Sequence, residues 1–388
     1  MRWKAVLCFL ILISLPFQAG CWNAREIDEL AFVLGIGLDR GQDGGVKVTV
    51  LIANPSAASK SPTGGSAQEK SFYIATAEGK TFFEAIRNMA TFSSRRIFWA
   101  HNKVIVIGEK LARSDITEIL DFFSRNPELR LRTWIAVSPG EAEKLLAAPP
   151  EVEKDPATSI ENVISQRVWT GKGYGVMLKD FLEDYLSTAT HPVASRLSFD
   201  DSGSLRLSGA AVFNQNKMAG WLDEKETRGL LWLKGEFRSS IIVVPCPLDG
   251  QPLSVEVVHG EVKYKPQVRN GRPQLTVMTH AVGNLSEQAC KTDFTHMDNL
   301  HKLEMSLSAV IKDEINAAIT AAQQKFKLDF PGFNRPFHLQ RDKEWHQLVN
   351  KWPELFKEME VMVEVRSNIP REALFAIPLK SKKVAPGQ

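Results

Sequence analysis

Leu300-His-Lys-Leu-Glu-Met-Ser-Leu-Ser-Ala-Val-Ile-Lys-Asp-Glu-Ile-Asn-Ala-Ala-Ile-Thr-Ala-Ala-Gln-Gln-Lys-Phe326 is the stretch that decides the fold. Its Leu300, Leu303, Leu307, Ile311, Ile315, Ile319, Ala322 and Phe326 recur at steps of three or four, which draws one apolar stripe along about seven helical turns. At roughly 1.5 to 3 kcal/mol for each large apolar side chain buried, the stripe offers gross stabilisation on the order of 10 to 20 kcal/mol before chain entropy is charged against it. A helix with so much to bury lies across a sheet. The nearest candidate precedes it: Leu253–Lys265 and Leu275–Leu285 flank Asn270-Gly271, a pair whose positive backbone angles suit a two-stranded ribbon. After it, Pro331-Gly332 ends the region. A second helix is predicted from about Lys343 to Met359, and Val361, Val363 and Val365 alternate as a closing strand.

Working back from that unit, Leu205–Phe213 and Met218–Leu222 read as strands around a turn, Asp223 caps a short helix, and Ile241–Val244 is a strand ended by Pro245. Further back, Ala31–Leu38 and Val46–Ile52 form a hairpin across Asp43-Gly-Gly45, and Asn54–Lys70 is a mobile loop with almost nothing to bury. Strand and helix then alternate from Phe72 to Ala147. Gly171-Lys-Gly-Tyr-Gly175 lacks the Lys-Ser or Lys-Thr of a phosphate loop and reads as a flexible connector. The class is α+β: several domains, antiparallel sheets packed with helices, and a long amphipathic helix in the last domain. The expected divisions are a signal segment 1–20, an N-terminal α/β domain 21–201, a small middle domain 202–247, a C-terminal α+β domain 248–370 and a flexible tail 371–388.

The signal segment ends at Cys21. Arg2 and Lys4 are followed by an apolar run from Ala5 to Leu15, then Pro16 and the small residues Ala19 and Gly20 immediately before the cysteine. That is the pattern of a lipoprotein signal peptide, too short to span a bilayer as a helix of about 20 residues. Lipid on Cys21, at about 0.8 kcal/mol per buried methylene, makes a stable anchor without a transmembrane segment. The rest of the chain then sits on the outer face of a membrane.

The net charge of +3 includes the two cations of the signal segment, so the chain after Cys21 is near neutral with both signs interspersed. This argues against a nucleic-acid partner, whose footprint is a basic face. Of the four cysteines, Cys8 leaves with the signal and Cys21 takes lipid; Cys246 and Cys290 are either a disulfide or two separate thiols. Catalytic chemistry needs convergent groups, and none is assembled here. His296 and His301 fall on different helix faces, His338 and His346 bring no third metal ligand, and the carboxylates of Glu183-Asp184 point apart on a helix. The expectation is a protein that is not an enzyme and carries no metal or other cofactor. What stands out is Gly220-Trp-Leu-Asp-Glu-Lys-Glu-Thr-Arg-Gly-Leu-Leu-Trp-Leu233, two tryptophans around a charged helix start. Core packing accounts for each tryptophan taken singly; Trp221, Glu226 and Arg228 are the candidates for a partner contact.

Gly20-Cys-Trp-Asn-Ala-Arg-Glu-Ile27, Asp121-Phe-Phe-Ser-Arg-Asn-Pro-Glu-Leu-Arg130, the Gly220–Leu233 segment, Asp329-Phe-Pro-Gly-Phe333, Glu344-Trp345 and Trp352 occur in the order found in the Ger(x)C family, the lipoprotein C subunits of spore germinant receptors. The chain resembles that family over nearly its whole length after Cys21, departing from its pattern at Gln18 and Pro331. The resemblance implies a three-domain α/β fold and a non-enzymatic subunit held by Cys21 lipid on the outer face of the spore inner membrane. It also implies two polytopic partners, the A and B subunits, with the nutrient recognised mainly by B. The alternative is a solute-binding lipoprotein that delivers a small molecule to a transporter, a class that usually has two similar α/β lobes. A wall hydrolase needs paired carboxylates or a metal site that the sequence does not supply.

Overall fold

The computed structural model describes residues 29–54, 71–91, 93–150 and 152–370, with the single positions 3 and 26. Cys21, most of the Asn54–Lys70 segment and the Lys380–Lys383 tail lie outside the described residues.

The first sheet has ten strands: β1 (Leu30–Arg40), β2 (Val46–Ala53), β3 (Phe72–Gly79), β4 (Arg96–Phe98), β5 (Val104–Gly108), β6 (Trp134–Ser138), β7 (Val176–Met177), β8 (Val193–Phe199), β9 (Leu205–Asn214) and β10 (Lys217–Leu222). Their order is β10-β9-β8-β6-β5-β1-β2-β3, with β4 beside β1 and β7 beside β6. The four central strands β8, β6, β5 and β1 are parallel, and antiparallel pairs close both flanks. All five residues of β5 and of β6 are buried, because helices cover both faces, and such strands read as continuous apolar runs without alternation. Ile105 and Ile107 face one cluster with the Phe82–Met89 and Thr117–Arg125 helices; Val104 and Val106 face the other with Leu145, Leu146 and Ile160.

The second sheet is β11 (Ser240–Pro245), β12 (Pro252–Arg269), β13 (Arg272–Gln288) and β14 (Glu360–Asn368), in that order. The β12–β13 ribbon turns at Asn270 and Gly271, both with positive φ (52° and 74°) as a two-residue hairpin requires. The long helix, Met297–Thr320, buries Leu300, Leu303, Leu307, Ile311, Ile315 and Ile319, the stripe read from the sequence. It continues as a π-helical turn through Phe326, and Lys327 ends it in the left-handed conformation at φ 59°. The α+β class therefore stands, with a parallel centre to the first sheet that the sequence reading did not anticipate.

Two expected divisions fall in hairpin turns, and one expected helix is corrected. Position 202 does not end a sheet: Phe199 of β8 pairs with Leu205 of β9 across the Asp200–Ser204 turn, and the first sheet runs on to Leu222. Position 247 lies in another hairpin turn, where Pro245 of β11 pairs with Pro252 of β12. The expected middle unit is thus shared, its first two strands closing one sheet and its last strand opening the other. Turns and linkers draw on the same Gly, Ser, Asp and Pro residues, so composition alone did not separate them. The helix predicted from Lys343 to Met359 is two, Asp342–Leu348 and Trp352–Glu358, with a 3-10 turn between them and Pro353 in the first turn of the second.

Cys246 and Cys290 are joined as a disulfide with their Cα atoms 6.4 Å apart, both sulfurs buried at the end of the ribbon. The cross-link closes a loop of 44 residues. Replacing both cysteines by serine is expected to lower stability by about 2–4 kcal/mol, read as a fall in the urea midpoint that reductant reproduces in the wild type. An unchanged midpoint in both tests would rule this out.

Candidate functional site

The Gly220–Leu233 segment forms the end of β10 and the Glu224–Lys234 helix, and this helix crosses the long helix between the two sheets. Asp223 starts it with a capping box: its carboxylate accepts from the Glu226 N–H at 2.8 Å, and the Glu226 carboxylate accepts from the Asp223 N–H at 2.9 Å. Gly235, at φ 69°, ends it.

At the crossing, Arg228 Nε donates to Glu314 Oε1 at 2.7 Å and Trp232 Nε1 donates to Glu314 Oε2 at 2.9 Å. The Arg228 guanidinium lies 5.0 Å from the Phe237 ring centre, and Phe237 stacks on Trp232 at 4.0 Å. Arg228 is 8% exposed and Glu314 7%. A buried carboxylate is tolerable only where its charge is paired and its oxygens are hydrogen-bonded, and here both conditions hold.

This geometry corrects the expected surface position of Arg228 and gives Trp221 and Glu226 partners within the chain. Arg228 is not on the surface, because Glu314 holds it inside the crossing. Glu226 serves the capping box and pairs with Lys325 at 2.8 Å. Trp221 is half-buried, donates to Glu109 Oε1 at 3.1 Å and carries the Arg196 guanidinium on its ring at 5.0 Å. All three are committed within the chain.

Gly229 makes the close crossing possible. A Cβ at this position would stand 2.0 Å from the Glu314 carbonyl oxygen and 2.8 Å from Ala318 Cβ. Gly229→Ala is therefore expected to force the helices apart and cost about 1–3 kcal/mol, against the small gain that alanine brings to an isolated helix. Thermal unfolding decides it: a midpoint at or above wild type contradicts the reading.

A cleft of about 490 Å³ opens beside the crossing, lined by Trp134, Arg167, Tyr174, Asp184, Lys234 and Arg335 among others. Its charges are mostly paired: Arg335 with Asp184 at 2.6 Å, Lys234 with Asp184 at 3.7 Å, and Arg167 with Glu236 at 3.3 Å. Burial pushes the Asp184 carboxyl up from its ordinary value, and Lys234 and Arg335 oppose that shift. Asp184 and Glu183, with side chains 8% and 62% exposed, do not point apart as expected of adjacent helical residues, since both reach Arg335 Nη2, at 2.6 and 3.4 Å. The glycine run 171–175 is no loose connector. Gly173 bridges to Gly209, and a Cβ on it would meet Leu207 at 2.4 Å.

Asp329 forms a second buried junction. At 2% exposure, its carboxylate accepts from the backbone N–H groups of Gly332, Phe333 and Asn334, from Asn334 Nδ2 and from Trp352 Nε1, at 2.8–3.1 Å. Asn334 Nδ2 also donates to Thr190 Oγ1, and the His191 N–H to the Asp329 carbonyl. One acid thus ties the turn after the long helix to the last short helix and to the irregular segment leading into β8.

The histidines considered for metal do not converge. His296 and His301 face Asp293 and Glu304, His346 meets the Asp342 carbonyl at 2.7 Å, and His338 stacks on Trp345. Asp249 is the one carboxylate that approaches Cys246 and Cys290 among the described residues, and disulfide-bonded sulfurs have no thiolate to offer a metal.

Residues 23–199 match the family described as the spore germination protein N-terminal domain, and residues 208–372 that described as spore germination B3/GerAC like, C-terminal. Spore germination protein KC of Bacillus subtilis is 26% identical over 402 residues, covering 97% of this chain and 98% of its own. Spore germination protein B3 of the same organism is 24% identical, over 94% and 96%. The crystal structure of the GerBC protein superposes with a TM-score of 0.57 at 20% identity, covering 89% of this chain and 99% of that one.

Proposed function

Because the chain belongs to the Ger(x)C family of spore germination proteins, we propose that it is the C subunit of a nutrient germinant receptor, held on the outer face of the spore inner membrane by lipid on Cys21. It works there through protein contacts with the A and B subunits, in assembly and signalling, and makes or breaks no bonds. The observation that carries this reading is the end-to-end match to germination proteins, both family segments in order. Among the described residues no helix is long and apolar enough to cross a membrane, which is consistent with an anchor supplied by lipid. The two sheets, ten mixed strands and four, are unlike each other, which weighs against the paired lobes of a solute-binding lipoprotein.

The test is dipicolinic acid release, nutrient by nutrient, from spores lacking this chain. Loss of response to one nutrient class, with non-nutrient triggers still effective, is the expected outcome. If every response persists in spores from which the other C-type subunits have also been deleted, the receptor reading fails.

A further inference from the structure

The parallel centre of the first sheet gathers several chain segments at one end. Strands β1, β4, β5 and β6 run in the same direction, so the residues that lead into each lie together: Glu29 before β1, Arg95 before β4, His101–Lys103 before β5 and Arg130-Leu131-Arg132 before β6. Lys179 joins them, because its N–H donates to the Leu131 carbonyl at 2.9 Å. His101 sits among Phe32, Phe98, Arg130 and Lys103; burial and the two cations hold its imidazole below the usual histidine range.

The charges at this end are unbalanced. Arg96 and Lys103 pair with Glu128 and Glu161. Arg95, Arg130, Arg132 and Lys179 are exposed and make no ion pair among the described residues, and Leu131, between two of them, is 41% exposed. Among the described residues the unpaired acids beside them are Glu26, Glu29 and Asp180, which leaves a smaller excess of cations. Cys21 precedes Leu30 by nine residues, a separation of at most about 30 Å even for a fully extended chain. A lipid on Cys21 therefore brings this end of the sheet within reach of the bilayer, whereas the far end of β1 stands about 33 Å further along the strand.

We propose that this sheet end is a membrane-contact surface, with Arg95, Arg130, Arg132 and Lys179 on anionic phospholipid headgroups and Leu131 at the interface between them. The proposal rests on the lipid anchor proposed at Cys21, and adds to it a fixed orientation. Cations close to an anionic leaflet are attracted within a Debye length, so the tether supplies proximity and the arginines supply the tilt.

The experiment uses the full chain, processed and lipidated, in vesicles of phosphatidylcholine alone or mixed with phosphatidylglycerol. With Cys21 acylated and Cys246–Cys290 bonded, Ser94→Cys or Gln42→Cys adds one free thiol at the near or the far end of the sheet. Each is labelled with a fluorophore, and quenching by a headgroup-attached nitroxide is read. In phosphatidylglycerol vesicles the Ser94 probe is expected to be quenched several-fold more than the Gln42 probe. About 0.5 M salt, or Arg95→Glu with Arg130→Glu and Arg132→Glu, is expected to shrink that difference to what the tether alone gives in phosphatidylcholine, while flotation persists. Equal quenching at both ends, or a difference unchanged in phosphatidylcholine or at high salt, overturns the proposal; the salt arm decides even if the triple variant folds poorly. If the wild type does not float on phosphatidylcholine alone, the anchor reading fails separately. Flotation on phosphatidylglycerol then decides the surface: loss of about tenfold or more in the triple variant supports it, and retention overturns it.

Discussion

Arg228→Glu is expected to unfold the chain or come close to doing so. The substitution sets a second carboxylate against Glu314 in a site where both partners are less than a tenth exposed, and it strips Glu314 of the cation that pairs with it there. Leaving one charge of a buried pair uncompensated costs about 3–5 kcal/mol, a large part of the stability of an ordinary domain. Trp232 still donates to Glu314, but one neutral hydrogen bond does not offset an unpaired charge in the helix crossing. Arg228→Lys keeps the charge, loses the guanidinium contact with Phe237 and should fall between the two. The measurements are the urea midpoint and near-ultraviolet circular dichroism, which follows the Trp232–Phe237 stack. A folded Arg228→Glu protein with a wild-type midpoint would mean that the side chain points to solvent, as the sequence alone suggested. The same variant paired with Glu314→Arg should recover part of the loss, which separates a failed ion pair from a failed fit.

The second large effect is expected at Asp329. Its carboxylate gathers three backbone N–H groups, an amide and an indole in a site 2% exposed. Asp329→Ala leaves these donors facing a void, and each unsatisfied buried donor costs about 1–3 kcal/mol, so a loss of about 3 kcal/mol or more is the expectation. Asp329→Asn preserves the shape and one accepting oxygen but turns an NH₂ group toward donors, so it should be milder without being silent. Hydrogen exchange of the Gly332, Phe333 and Asn334 amides reports on the junction directly. Protection unchanged in Asp329→Ala would show that this loop is held by something other than the carboxylate.

Periodicity made the long helix, the ribbon and its Asn270-Gly271 turn legible in the sequence, because each has a local signature that tertiary contacts reinforce. The parallel centre of the first sheet had none. Val104–Gly108 and Trp134–Ser138 are short apolar runs, and nothing within them states which distant run will lie alongside. The surface reading of Arg228 failed for a related reason. Arg228 reads as a surface residue beside Glu224, Lys225 and Glu226, yet it lies on the inward face of its helix. The missed clue was Glu314, three residues after Ile311 and seven after Leu307, an acid on an otherwise apolar stripe. A carboxylate in that position demands a buried cation, and Gly229 next to Arg228 marks where a second helix can come close enough to supply one. Asp329 was seen only as part of a motif, since its work is to accept from backbone groups, whose partners a sequence does not reveal.

The pairing of β8 with β9 bears on how such a chain can be divided or exchanged. The two family segments part between residues 199 and 208, yet the strands on either side of that gap are neighbours in one sheet. A fragment stopped at the gap would leave the edge of β8 bare, a template for pairing with any strand it meets. The remaining fragment would begin with β9 and β10, deprived of the sheet they close. The halves are therefore not interchangeable modules. A chimera joining the front of one family member to the back of another must match the β8 and β9 surfaces, and specificity carried by either half is inherited together with its neighbour.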